Sequence, residues 1–405
     1  MNILPYGPVK DANFLMTQPM DIQNSLSRVV QQPGVIDQIG TLVDSLGCQR
    51  LLLVCGGSTR RGALYARAIA SLGARVVLVM DQVVEHSSTG LVTQLAEKAK
   101  LAKIDGIVAI GGGSSSDTAK GVAILLAEGG KIEQHASRFT PPDQFVPQPL
   151  HQPKIPIIAV PTTLSAAEVT PGLGLRDDSG RKLLFWDVKL ACRLILLDPD
   201  ATREVPVSVM ASTGMNGFAH CVEGLYSRLR NPVAESLALQ GIKLFQRWLP
   251  QMVKDPQSIT ARAGVLTAAN LSGMVISTAR VGIHHAMCHC LGAKGGLSHG
   301  VANSIMLPHA LVYNQEDAGP ALLLLAQAMG CAVVGDERQS ILAAIQAVRD
   351  LQIETGVPLR LRDTSLKRDL LPDIAHDVMH DRGLFFNPRK TESSQAVLEI
   401  LEKAW

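Results

Sequence analysis

Asp105-Gly-Ile-Val-Ala-Ile-Gly-Gly-Gly-Ser-Ser-Ser-Asp-Thr-Ala-Lys120 is the stretch whose reading decides the fold. Its first half is a short, unbroken apolar run, the pattern of a strand covered on both faces. Three glycines then break the run, and a helical pattern follows that ends at Gly129-Gly130. A strand that turns through glycine straight into a helix leaves the free N–H groups of the first helical turn at the strand's carboxyl end. Those donors and the positive end of the helix dipole suit a phosphate. Ser114 and Asp117 have the spacing of a capping box with aspartate in the acidic place. The glycines lack Gly-x-Gly-x-x-Gly spacing, so the turn taken alone fits either a phosphate site or a tight connection without a ligand.

Outward from this turn, similar apolar runs occur at Arg50–Cys55, Ala74–Met80, Ile155–Val160 and Arg193–Leu197. Helical patterns fill the gaps at Ala63–Leu72 and Leu91–Leu101. Strand–helix alternation with continuous apolar strands predicts a parallel sheet with helices on both faces. After about residue 205 the strand signal stops. Amphipathic stretches follow at Val233–Trp248, Ser258–Ala279, Pro320–Met329, Gln339–Thr355 and Ser393–Trp405. The expected architecture is an α/β, Rossmann-like domain over residues 1–204 and an all-helical domain over 205–405, dividing near Asp198-Pro-Asp200. At 405 residues the chain is too long for one core, which agrees with two domains. Residues 131–154, rich in proline and glutamine, read as a surface excursion.

A net charge of +2 points to neither nucleic acid nor a membrane surface as partner. Seven cysteines form no disulfide framework, and Cys288-His-Cys290 lacks zinc-knuckle spacing, so a reducing, cytoplasmic setting is expected. Met1-Asn-Ile-Leu-Pro-Tyr6 has no signal-peptide pattern, and no apolar run reads as long enough to span a bilayer.

The histidines are concentrated. Of eleven, four lie between Gly282 and Gly300: His284, His285, His289 and His299. His285 and His289 share a helical face, as do Asn216 and His220 upstream. Two such pairs and a loop histidine converge readily on one metal ion or one reacting oxygen. Thr162 and Thr163 follow the fourth strand, where open α/β sheets bind ligands.

Five ordered motifs together resemble the iron-containing alcohol dehydrogenase family over almost the whole chain. They are Gly-Gly-Gly-Ser-x-x-Asp-x-Ala-Lys at 111–120, Pro-Thr-Thr at 161–163, and Gly-Met-Asn-x-x-x-His with Glu223 at 214–223. His285-x-x-x-His289-x-Leu-Gly and Ser-His299-Gly, followed by Leu307–Asn314, complete the set. The resemblance implies a nucleotide-binding α/β domain, a helical domain, and NAD or NADP with a divalent ion such as Fe2+ or Zn2+ between them. It implies Asn216, His220, His285 and His299 at the metal, and His289 near the nicotinamide and substrate. It places Gly56, Gly57, Ser58, Gly111, Gly112, Gly113, Ser114, Asp117, Thr162, Thr163 and, more weakly, Lys182 at the cofactor. A homodimer or larger homo-oligomer is common among such proteins.

Two departures matter. The first metal position of iron-dependent members is an aspartate, and here it is Asn216. A neutral amide leaves a dication less compensated. The same asparagine is typical of the maleylacetate reductase branch, generally described as metal-independent. Thr170-Pro, Gly180-Arg-Lys182 and Asn387-Pro-Arg389 resemble that branch, whereas Leu164–Glu168 and Gly300–Asn303 resemble the general dehydrogenases. The second departure follows the first strand, where NAD-specific members carry an acidic residue. Here Cys55-Gly-Gly-Ser-Thr-Arg-Arg61 offers no carboxylate, and Arg60 or Arg61 would attract a 2′-phosphate.

The reaction implied is hydride transfer between a nicotinamide and a small carbonyl or alcohol. Without a metal, His289 is the first choice for the proton relay and His285 the second. Arg280 and Lys294 flank the histidines and are candidate partners for a carboxylated substrate such as maleylacetate. The readings in play are a metal-dependent alcohol dehydrogenase and a metal-free maleylacetate reductase. A dehydroquinate-synthase-like lyase is opposed by Asn216 and by the His285-to-His299 spacing. A non-catalytic nucleotide-binding protein is opposed by the intact motifs.

Overall fold

The computed structural model describes residues 22, 27–83, 87–140, 144–146 and 148–405. The reading of Met1–Tyr6 lies outside these residues. Strands β1 (Arg28–Gln31), β2 (Leu51–Cys55), β3 (Val76–Met80), β4 (Gly106–Gly111), β7 (Ile157–Pro161) and β10 (Leu194–Leu197) form one sheet in the order β1-β10-β7-β4-β2-β3. Every pairing in it is parallel. Two hairpins stand apart from it: β5 (Arg138–Thr140) with β6 (Gln144–Val146), and β8 (Gly172–Arg176) with β9 (Lys182–Trp186).

The four central strands are buried along their whole length, which is why they read as continuous apolar runs. The run at Ala74–Met80 is instead an edge strand that leaves Val77 and Val79 exposed. The opposite edge, β1, was not anticipated. Its Arg-Val-Val-Gln sequence is mostly exposed, and its partner β10 lies far along the chain.

Helices α1 (Ala63–Leu72), α2 (Thr89–Leu101) and α3 (Gly113–Glu128) cover the sheet. The chain passes from β2 out to β3, then crosses back to β4 on the other side of β2. The direction of winding therefore reverses between β2 and β4, and open α/β sheets bind ligands beyond the carboxyl ends of such strands.

The last strand ends at Leu197 and the first long helix, α4 (Val207–Tyr226), begins ten residues later. It is followed by α5 (Pro232–Lys254), α6 (Ile259–Ala279), α7 (Ile283–Ala293), α8 (His299–Asn314), α9 (Gly319–Ala328), α10 (Glu337–Thr355) and, at the C-terminus, α11 (Ser394–Lys403). Local chemistry fixes several starts. Asn231, Ser258, Ser298, Asp336 and Ser393 each accept an N–H of the first turn. The core under one sheet face runs without a break from Leu52, Val54 and Ala109 into Met215, Phe218 and Phe245 of the helical half. A second core, around Ile283, Met287, Ile305 and Leu371, fixes α7 and α8 against the C-terminal segment.

One expectation is corrected here. Helix α6 is 21 residues long and apolar enough to cross a membrane. It packs against α4 and α5, burying Val265, Leu266 and Val275 together with Arg262. The Arg262 guanidinium donates to the Thr202 carbonyl and hydroxyl and to the Pro256 carbonyl. A buried arginine held by loop carbonyls marks α6 as an interior helix.

Candidate active site

The turn after β4 is built for close approach. Gly111 has φ +148°, and a Cβ on it would lie 2.5 Å from Ser115 Oγ, so both backbone and space require glycine. A Cβ on Gly112 would lie 3.2 Å from Thr163. Thr162 N–H donates to the Gly111 carbonyl, tying the Pro161-Thr-Thr turn to the glycines. Beneath them the buried Lys120 ammonium donates to the carbonyls of Ala167, Thr170 and Gly172 at 2.6–2.8 Å. It thereby shapes the segment from β7 to β8.

The capping-box expectation is wrong. Gly112 occupies the N-cap of α3, without a side-chain cap, and Ser114 is already helical. Asp117 instead accepts from Gly174 N–H at 3.1 Å and anchors β8. The first-turn N–H groups of α3 are thus left without a side-chain cap.

These residues line a cleft of about 760 Å³ between the sheet's carboxyl edge and the helical half. Gly56, Ser58, Gly111–Ser114, Asp117, Thr162, Thr163 and Lys182 reach it, and so do Asn216, His220, His285, His289 and His299. Gly57 does not; it opens the short helix Gly57–Arg61. Arg60 is turned away as well, paired with Asp81 at 3.1 Å and stacked on Tyr65. Asp81, which follows β3, is the carboxylate that holds Arg60; the turn after β2 itself carries none.

At the helical wall the histidines cluster, with His220 stacked on His285 and His289 on His299. Ring centroids are 4.9 Å apart for His220–His285, 5.5 Å for His285–His299 and 5.6 Å for His289–His299. His220 Nδ1 meets Ser272 Oγ at 3.4 Å, which leaves Nε2 for other partners. Burial, reinforced by neighbouring charges, holds His220 and His299 well below the ordinary histidine value. Burial likewise takes His285 to about 4, against the pull of Glu223. All three are neutral imidazoles near pH 7.

Behind them lies Glu223, fully buried on α4 one turn beyond His220. Its carboxylate accepts from Gly282 N–H at 2.7 Å, Tyr226 OH at 3.3 Å, His284 Nδ1 at 3.1 Å and, closer still, His285 Nδ1. Burial opposes its charge, but His285 and His284 outweigh that and hold it well below the carboxylate range. His284 also donates from Nε2 to the Asn303 carbonyl at 3.0 Å. With acceptors at both nitrogens it is held above the ordinary value, against the cost of burial and with Cys288 and Glu223 favouring the charge. Glu223, His284 and His285 are close enough to hold an ion among themselves. Their mutual hydrogen bonds already fill that space, and Glu223 and His284 do not face the cleft. Glu223 instead orients His285, as a carboxylate does behind a metal-ligating or catalytic imidazole.

Because His285 Nδ1 carries the proton given to Glu223, Nε2 presents a lone pair. Asn216 Oδ1 lies 3.2 Å from it. Two acceptors face each other, and the contact becomes favourable when a cation lies between them or when the amide turns to offer its NH2. An aspartate would have only the first course.

His289 has a different partner. Its Nδ1 donates to Asp381 Oδ2 at 2.8 Å. Burial raises Asp381, but His289 and the Gly383 N–H bring it down to about 2. Burial, then the nearby Lys182 charge, lower His289 itself, with Asp381 opposing. Lys294 is a surface residue paired with Asp377 at 3.0 Å, whereas Arg280 lines the cleft. Neither Glu223's role nor Asp381 was anticipated. A carboxylate inside an apolar helix, three residues after His220, was the available signal for the first. No local pattern marks Asp381, 92 residues from its partner.

Comparison with known proteins places most of the chain in one family. Residues 27–199 match the family "iron-containing alcohol dehydrogenase", and residues 210–405 match "Fe-containing alcohol dehydrogenase family, C-terminal". The chain is 30% identical to a maleylacetate reductase from Burkholderia cepacia, over 94% of this chain and 96% of that one. It is 26% identical to an NAD-dependent methanol dehydrogenase from Bacillus methanolicus, over 92% and 96%. The solved structure of a 1,3-propanediol oxidoreductase superposes with TM-score 0.88 at 29% identity, covering 96% of this chain and 100% of that one.

Proposed function

This chain belongs to the iron-containing alcohol dehydrogenase family and is an oxidoreductase, and from that premise we propose that its cleft moves a hydride between NAD(P) and a small carbonyl or alcohol. The observation that carries the reading is one cavity lined both by the Gly111–Ser114 turn and by His285, His289 and His299. NAD(P)H bound there supplies the hydride that reaches the carbonyl carbon. The α3 N-terminus and Gly111–Gly113 hold its phosphates. His289, fixed by Asp381, gives a proton to the carbonyl oxygen in reduction and takes it back in oxidation.

The residues also fit a divalent ion. Three neutral imidazoles and an amide face one space, with Ser272 and Glu223 behind two of them. Asn216, His220, His285 and His299 would hold it, and it would polarise the carbonyl oxygen. The set carries no anion toward the cleft, so zinc, content with three histidines, suits it better than iron. Because the Asn216 amide can turn to satisfy His285, the site also closes without an ion.

For the cofactor we favour NADP(H) or dual use. Arg60 is committed to Asp81, but Arg61 Nη1 lies 3.4 Å from the Cβ position of Gly57, beside the turn after β2. Seven free cysteines suit a reducing, cytoplasmic setting. The exposed edges β1 and β3 suit assembly into a homodimer.

The test is oxidation of NADH and NADPH with short aldehydes by wild type, Gly112→Val and His289→Asn. Wild type is expected to turn over. The valine, crowding Thr163, should weaken cofactor binding at least roughly tenfold. The asparagine should lower kcat by about a hundredfold or more. A wild-type protein that binds neither cofactor contradicts the proposal.

A further inference from the structure

At the histidine end of the cleft stands the guanidinium of Arg280. Arg280 follows α6 and precedes α7 by three residues. Its Nη1 is buried and has no hydrogen-bond partner among the described residues. Its plane lies on the Trp186 ring, 3.5 Å from the centroid, and Arg382 approaches the same ring at 5.7 Å. Trp186, Arg280, Arg382 and Lys182 all line the cleft. The nearby carboxylate, Asp381, is engaged by His289 and by Gly383 N–H. The phosphate cradle belongs to a different wall, formed by Gly111–Ser114.

The backbone makes the side chain's presence informative. Arg280 sits at φ 67°, ψ −176°, a region almost reserved for glycine. A non-glycine residue there is strained. A buried donor left without an acceptor carries a further cost. Both costs fall on one side chain, and a carboxylate accepting from the guanidinium would offset the second.

We propose that Arg280, stacked on Trp186 and flanked by Arg382, receives a carboxylate of the substrate, so that the enzyme prefers short oxo acids and the corresponding hydroxy acids over unsubstituted aldehydes and alcohols. The guanidinium carbon lies over the Trp186 ring and the residue lines the cleft, and an arginine held on an aromatic ring is suited to reading a carboxylate. The inference rests on the oxidoreductase reading above and narrows its substrate class. Arg280 is a specificity-determining residue here; the proton and hydride steps belong to other groups.

The experiment compares kcat/KM for a series of ω-oxo acids with that for unsubstituted aldehydes of the same lengths, in wild type, Arg280→Gly and Arg280→Lys. Glycine suits the backbone at this position, so the first variant should fold; the second keeps the charge. Wild type should prefer the acids by about tenfold to a hundredfold, the range of a charged hydrogen bond. Arg280→Gly should raise KM for the acids by a similar factor and collapse the preference, with Kd for NAD(P)H unchanged. Arg280→Lys should keep part of it. Calorimetric binding of succinate to the enzyme–NAD(P)+ complex, present in wild type and lost in Arg280→Gly, gives a readout independent of turnover. Turnover without acid preference, or a preference that survives in Arg280→Gly, overturns the assignment. Absence of turnover with every carbonyl would instead overturn the oxidoreductase reading on which it rests.

Discussion

Glu223→Gln removes one charge and almost no volume from a carboxylate that is fully buried and accepts from four donors. Glutamine still offers an oxygen to Gly282 N–H, but the charge-assisted part of each bond is lost. His284, with acceptors at both ring nitrogens, is left as an uncompensated buried cation or must give up its proton. Breaking one side of a buried pair costs about 3–5 kcal/mol. Because His284 can deprotonate, we expect the lower end, about 3 kcal/mol, or roughly a hundredfold in the unfolding equilibrium. Glu223 is held below its unfolded value of 4.5, so its contribution is complete above that pH and is lost as pH falls below it. His284 is held above its unfolded value of 6.5, so its contribution is complete below that pH and is lost as pH rises through the folded value. The gap between wild type and variant should therefore be flat between about pH 5 and about pH 6 and shrink on acidification. Urea titrations followed by circular dichroism across this range measure it. Glu223→Gln combined with His284→Gln should recover part of the loss. A single variant within about 1 kcal/mol of wild type at about pH 6, or a gap that widens on acidification, would show that Glu223 does not hold a buried charge pair with His284.

Three further outcomes follow from the site. Carbonyl reduction by wild type should be constant at low pH and fall as pH rises through the depressed His289 value, below 6.5, with alcohol oxidation showing the opposite limb; Asp381→Asn removes the anion that supports the protonated form and should move both limbs to lower pH. Asn216→Asp adds an anionic ligand and removes the amide's option to turn, so Kd for Zn2+ by competition with a chromophoric chelator should fall roughly tenfold or more, while chelation should destabilise the variant more than wild type. Arg61→Glu should lower the NADPH-to-NADH ratio of kcat/KM by about tenfold, and an unchanged ratio would remove Arg61 from 2′-phosphate recognition.

What the sequence revealed and what it hid have physical causes. The four central strands are apolar on both faces, so Leu51–Cys55 and Gly106–Gly111 announce themselves without context. His285 and His289 could be paired because helical spacing places them on one face, and the structure brings His220 and His299 beside them. Strand β1 stayed hidden because its pairing with β10 is non-local and its side chains are mostly exposed. Ser114 and Asp117 had capping spacing but the wrong register, since Gly112 takes the cap. Trp186 becomes part of the cleft only when the β8–β9 hairpin folds beneath the segment that carries Arg382. Arg280 was visible as a charge near the histidines. Its unusual backbone and missing acceptor are properties of the packed chain.

Hydride transfer in the cleft is read by following the transferred hydrogen. Wild-type enzyme is given NAD(P)H deuterated at the reactive carbon of the nicotinamide, together with a short oxo acid, and the alcohol product is analysed by mass spectrometry. The expected product carries one deuterium per molecule, on the former carbonyl carbon, and forms at a rate that falls by about a hundredfold in His289→Asn. Product without deuterium, or an alcohol formed equally fast by that variant, would contradict hydride transfer in this cleft with His289 as its proton partner.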